Sequence, residues 1–73
     1  MRRFRDAEGR EWDVVLGRES WGSLLALFVP VGGGAVMQAP LRSAGYDSAQ
    51  HELDTMDEAT LHELLRGATE KEG

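Results

Sequence analysis

The chain has no cysteine and only two histidines among its 73 residues. The missing thiols exclude disulfides and thiolate metal sites. Two histidines also fall short of the three or four convergent ligands that a metal centre needs. Long apolar runs are missing too. The longest, residues 24–31, has eight residues and contains Pro30, where a membrane-crossing helix takes about 20. Behind Met1 stand Arg2, Arg3, Arg5, Asp6, Glu8 and Arg10, which leaves no room for the apolar stretch of a signal peptide. These absences predict a cytoplasmic protein that does not enter a membrane, in keeping with the reducing compartments where cysteine-poor chains fit.

The length bounds the rest. A chain of 73 residues holds one domain, and below about 70–80 residues a lone core rarely supplies more than ~3–5 kcal/mol. With disulfides excluded and a structural zinc site disfavoured, self-association is the most available supplement. The net charge of -5 is unevenly spread. Residues 1–42 carry six arginines against five acidic residues, a balance of +1. Residues 43–73 carry Arg66 and Lys71 against eight acidic residues, a balance of -6.

The front half reads as sheet. Residues 2–5 form a short extended segment with Phe4 as its large apolar side chain. The turn Asp6-Ala7-Glu8-Gly9 has aspartate at its start and glycine where a positive φ is useful. Over residues 11–16, Trp12, Val14 and Leu16 alternate with Glu11 and Asp13, the period of a half-buried strand, with Val15 a mild break. Residues 17–23 are glycine- and serine-bracketed and predict a loop carrying Trp21. Residues 24–31 are apolar on both faces, as in a central strand covered on both sides. Leucine and alanine also favour helix, but the β-branched Val29 and Val31, Pro30 and the Gly32-Gly33-Gly34 turn favour strand. Residues 35–39 return as a strand that Pro40 ends.

The back half reads as helix. Residues 46–53 predict a short helix capped by Asp47 or Ser48. A capping box with Thr55 as N-cap and Glu58 three residues on opens a second. Its apolar face is Leu61, Leu64 and Leu65. Glu58, His62 and Arg66 follow at i+4 spacing on the other face, and Gly67 is the stop signal. The expected organisation is thus a β-meander over 1–40, a helical part over 46–67 and a frayed tail over 68–73. The predicted core is Phe4, Trp12, Val14, Leu16, Leu25, Leu27, Val29, Val36, Leu53, Leu61, Leu64 and Leu65.

No constellation for chemistry emerges. The glycine triplet leads into a strand and lacks the helix and Lys-Ser/Thr pair of a phosphate loop. His51-Glu52 and His62-Glu63 lack the second histidine four positions on that zinc proteases carry. The serines at 20, 23, 43 and 48 lack a nucleophile context. The abundant carboxylates read as surface charge. The expectation is a non-enzyme with no catalytic residue, no metal and no cofactor.

Two kinds of partner remain. If helices cover only one face of the sheet, then either Leu25, Leu27 and Val29 or Ala26 and Phe28 lie on the other, and such a patch marks an interaction surface. Trp21, Leu25 and Phe28 are the candidate contact residues, and the partner is another protein or a second copy in a homodimer. The alternative is a weak nucleic-acid binder using the arginine-bearing hairpin, with Arg3, Arg5, Arg10 and Arg18 as contacts beside tryptophan. The interleaved Asp6, Glu8, Glu11, Asp13 and Glu19 oppose it, since cross-strand pairing would consume the positive charge.

The opening carries Phe-x-Asp-x-x-Gly-x-x-Trp-x-Val on Phe4, Asp6, Gly9, Trp12 and Val14. Residues 53–61 resemble a Leu-x-x-Leu-x-Asp/Glu-Glu-x-x-Leu ending. Together they resemble small uncharacterised bacterial domains with a β-meander and a closing helix. The resemblance touches both ends and leaves the middle unmatched. It implies a fold, transfers no function, and assigns no catalytic or binding residue. The fold class expected is α+β, a three- to four-stranded antiparallel meander followed by one or two C-terminal helices.

Overall fold

The structure is a computed structural model describing residues 2–19, 22–43 and 45–71. It is an α+β fold with a five-stranded antiparallel sheet in the order β1-β2-β3-β4-β5. The strands are β1 (Arg2–Arg5), β2 (Glu11–Arg18), β3 (Leu24–Pro30), β4 (Met37–Pro40) and β5 (Thr69–Glu70), with α1 (Tyr46–Thr55) and α2 (Glu58–Arg66) between the last two.

The first hairpin is set by Asp6. Its Oδ1 accepts from the Glu8 and Arg10 amides, both at 2.9 Å. The Gly9 amide closes the turn on the Asp6 carbonyl at 3.1 Å, with Gly9 at φ +86, a conformation that costs glycine nothing. The returning strand β2 runs two residues further than its alternation predicts. Gly17 and Arg18 pair with Leu25 and Leu24 instead of looping out, because backbone pairing does not require an apolar side chain at the strand's end.

Alternation then assigns the faces. Phe4, Trp12, Val14, Ala26, Phe28 and Ala39 point to one side and form the core with Leu53 of α1 and Leu61 of α2. Leu16, Met37, Leu41, Met56, Leu64, Leu65 and Ala68 pack around it. Phe4 and Phe28 meet edge to face at 5.9 Å, a favoured aromatic geometry. This corrects two predicted core residues of β3. Leu27 is half-buried and Val29 exposed on the opposite side of the strand, since the pairing of Val14 with Phe28 and of Leu16 with Ala26 fixes the even-numbered residues inward; Leu25 shares that opposite side but is buried, as expected. Val36 stands ahead of β4 and is half-buried, while Met37 and Ala39 take the inward positions.

The helix starts also differ from expectation. Gly45 precedes α1 without a side-chain cap, so neither Asp47 nor Ser48 serves as one. At α2 the N-cap is Asp57, whose Oδ1 accepts from the Thr60 amide at 2.8 Å. Thr55 still belongs to α1 and donates to the His51 carbonyl at 2.8 Å. With only two residues between the helices, Asp57 is the oxygen within reach of the free amides of the first turn. Arg66 pairs with Glu63 at 2.9 Å rather than with His62. At the far end the Gly67 amide bonds the Glu63 carbonyl. The tail does not fray at once, because Thr69 and Glu70 pair with Gln38 and Met37, and the Lys71 amide donates to the Val36 carbonyl.

Candidate interaction surface

Both helices pack on the core side of the sheet, and the odd-numbered residues of β2 and β3 form a face with no helix on it. The pairing register lays this face out in three cross-strand rows. One is Arg3, Asp13 and Val29; the next is Val15, Leu27, Gln38 and Thr69; the third is Gly17, Leu25 and Pro40. Its apolar side chains are Val15, Leu25, Leu27 and Val29 on β2 and β3 and Pro40 on β4, and its polar ones are Arg3, Asp13, Gln38 and Thr69. Val29 is 36% exposed, Leu27 and Val15 are half-buried, and Leu25 is 6% exposed.

Gly17 shapes the middle of this face. A Cβ there would stand 2.6 Å from Leu27 Cδ1 and 2.8 Å from Cγ. The leucine side chain therefore lies across the strand in the space a larger residue would fill. The result is a low apolar platform rather than a ridge.

The charged corner of the face is internally matched. Arg3 Nε meets Asp13 Oδ1 at 2.9 Å, and Arg3 Nη2 donates to the other oxygen at 3.3 Å. Arg5 reaches Glu11 at 3.8 Å. The Arg3 guanidinium holds the Asp13 carboxyl below the usual carboxylate range, chiefly by hydrogen bonding and also by its charge. Arg2 lies elsewhere, donating to the Leu53 carbonyl at 3.0 Å and the Asp54 carbonyl at 3.4 Å. Those are last-turn carbonyls of α1, which suit a cation. Arg10 sits over the Trp12 ring with its guanidinium carbon 4.8 Å from the centroid.

The sequence candidates therefore divide. Phe28 is 0% exposed in the helix-side core, so it is not a contact residue; the inward parity of β3 puts it there. Leu25 is on the helix-free face but nearly covered. Trp21 lies outside the described residues. Of the arginines, Arg3 and Arg5 are paired, Arg10 is engaged with Trp12, and Arg18 makes no ion pair among the described residues. Leu27 and Val29 belong to one of the two patches expected from the sequence, whereas Val15 and Gly17 do not. The legible signal for them was Gly17 directly after an alternating strand, which marks a close approach across the sheet.

On the helical side, a shallow cleft of about 440 Å³ runs between the first turn and α2, lined by residues that include Asp6, Arg10, Trp12 and His62. Asp6, Trp12 and His62 in it are hydrogen-bonded. The Trp12 indole N–H donates to Asp6 Oδ2 at 2.9 Å. His62 Nε2–H donates to the Arg5 carbonyl at 2.8 Å. Away from this cleft, the Ser43 hydroxyl donates to Glu52 at 2.8 Å, a carboxylate and not a histidine base. Among the described residues, no helix is long and apolar enough to cross a membrane, and no three histidine or carboxylate groups cluster for a metal. No known protein family, curated protein or solved structure matches this chain.

Proposed function

We propose that this protein is a non-catalytic interaction module that binds another protein chain through the helix-free face of its sheet. The observation that carries the reading is the placement of Val15, Leu27 and exposed Val29 together on the central strands, on the side the helices leave bare. Apolar side chains cost free energy in water in proportion to their exposed area, and a grouped patch marks contact surface. The polar Gln38 and Thr69 and the paired Arg3–Asp13 corner supply the rim such interfaces carry.

The paired arginines favour this reading over nucleic-acid binding. Affinity for phosphate comes from cations that release counterions, and Arg3 and Arg5 already face carboxylates. A cytoplasmic setting is part of the proposal, supported by the absence of cysteine. The test is a photo-crosslinking amino acid placed at Val29, with one at the exposed helical residue Ala59 as control, irradiated in the native cell. Adducts to a protein from position 29 and not from 59 are expected. No adduct from position 29 sinks the reading.

A further inference from the structure

We infer that the occupant of the helix-free face is a second copy of this chain, stacked sheet to sheet about a two-fold axis through β2 and β3. The inference rests on the reading of that face as the contact surface, and adds the identity of the partner.

Charge is the first argument. Residues 43–73 hold eight acidic groups against two basic ones, and the helices within that stretch cover the opposite side of the sheet. The helix-free face is close to neutral, because Arg3 and Arg5 are balanced by Asp13 and Glu11. Two copies of a chain with a net charge of -5 repel each other. Stacking through the neutral faces keeps the two acidic surfaces at the outer ends, with both sheets between them. Contact through the helices would press like charges together.

Shape is the second. Leu27 lies down in the space above Gly17, so the face is low, and two low sheet faces pack at about 10 Å with their strands nearly aligned. A two-fold axis through the centre brings Val15, Leu27 and Val29 of one copy against the same residues of the other. Like-on-like contact is what an isologous interface requires. Arg3, Gln38 and Thr69 of the outer strands fall at the rim.

Area is the third. Strands β2 and β3, eight and seven residues long, are flanked by β1 and β4 of four residues each; at about 3.3 Å per residue and about 4.8 Å between strands they make a face of roughly 360 Å². Two such faces bury roughly 700 Å², the low end of weak and transient interfaces. The dimer is therefore concentration-dependent and forms between folded monomers.

Sedimentation equilibrium from about 10 μM to about 1 mM, on the whole chain and on two variants, tests this. Val29→Lys places a charge on the face opposite Asp13, where it can be tolerated in the monomer. Ala59→Lys makes the same charge change on the helical side. The apparent mass of the wild type and of Ala59→Lys rises from one chain toward two, and methyl resonances of Val15, Leu27 and Val29 move with concentration. Val29→Lys, folded by circular dichroism, loses association by about tenfold or more. A wild-type mass of one chain throughout overturns the inference. If the position-29 crosslink then captures a different protein, the face remains a contact surface with another occupant. If it captures nothing, both readings fall.

Discussion

The indole N–H of Trp12 donates to Asp6 Oδ2 at 2.9 Å, while the other oxygen of that carboxylate takes the Glu8 and Arg10 amides. One side chain thus holds the turn and also anchors a core residue's polar edge. The spacing Phe4, Asp6, Gly9, Trp12, Val14 acquires a physical meaning. Phe4 pairs with Trp12 across the strands, Asp6 and Gly9 make the turn between them, and Phe4, Trp12 and Val14 enter the core. Asp6→Ala is expected to lower the melting temperature and move the Trp12 indole proton resonance. Asp6→Asn, which keeps an acceptor for the turn but sets an amide donor against the indole, falls between the two. Equal melting of Asp6→Ala and wild type would remove this role.

Acid should weaken the fold through three carboxylates. Trp12 holds the Asp6 carboxyl below its ordinary range, Arg3 does the same for Asp13, and Thr60, through its side chain and amide, for Asp57. A carboxyl whose pKa is lower folded than unfolded stabilises the fold above its unfolded value, about 3.9 for aspartate, and that contribution is lost as pH falls through the folded value. Urea midpoints should stay level from about pH 7 to pH 5 and fall below about pH 4. A midpoint that rises on acidification contradicts the assignment.

The two faces of β3 should respond oppositely to truncation. Phe28 is fully buried, and Phe→Ala in a core costs about 3–5 kcal/mol. That is comparable to the whole stability expected of a domain this size, so Phe28→Ala should be largely unfolded by circular dichroism. Val29→Ala, one residue on, should melt near the wild type. If Phe28→Ala stays folded and Val29→Ala does not, the parity described here is wrong.

Gly17→Ala should be destabilising because the new methyl meets Leu27 at the Cγ and Cδ1 atoms, and overpacking of this kind costs about 1–3 kcal/mol. Leu27→Ala should recover part of that loss, giving a coupling energy in a double-mutant cycle. Strict additivity would mean the two residues do not share the space.

Much of the architecture was legible beforehand because its signals are local. The Asp6 turn, the alternation of Trp12, Val14 and Leu16, and the Gly67 stop each act within a few residues. What was not legible depends on pairing. β3 is apolar at every position, so its own pattern cannot tell Phe28 from Leu27; the register with β2 decides. The tail residues Thr69 and Glu70 carry no strand signal of their own and become a strand because β4 offers an open edge. The helix N-cap slipped from Thr55 to Asp57 because α1 runs two residues longer than residues 46–53. The helix-free face was foreseen as one of two possibilities, and the choice between them again rested on register.

The evenness of β3 has a consequence for how the chain folds. Sliding this strand by one position against β2 exchanges Leu24, Ala26, Phe28 and Pro30 for Leu25, Leu27 and Val29, an apolar set for another apolar set. Hydrophobic collapse alone therefore barely discriminates the correct pairing from its neighbour. Gly17 supplies the discrimination, because only in the native alignment does the leucine that needs its gap arrive beside it. A larger residue at 17 would cost stability and also weaken the penalty on the misaligned sheet. Its mutants should refold more slowly and less faithfully than their equilibrium stability alone would suggest.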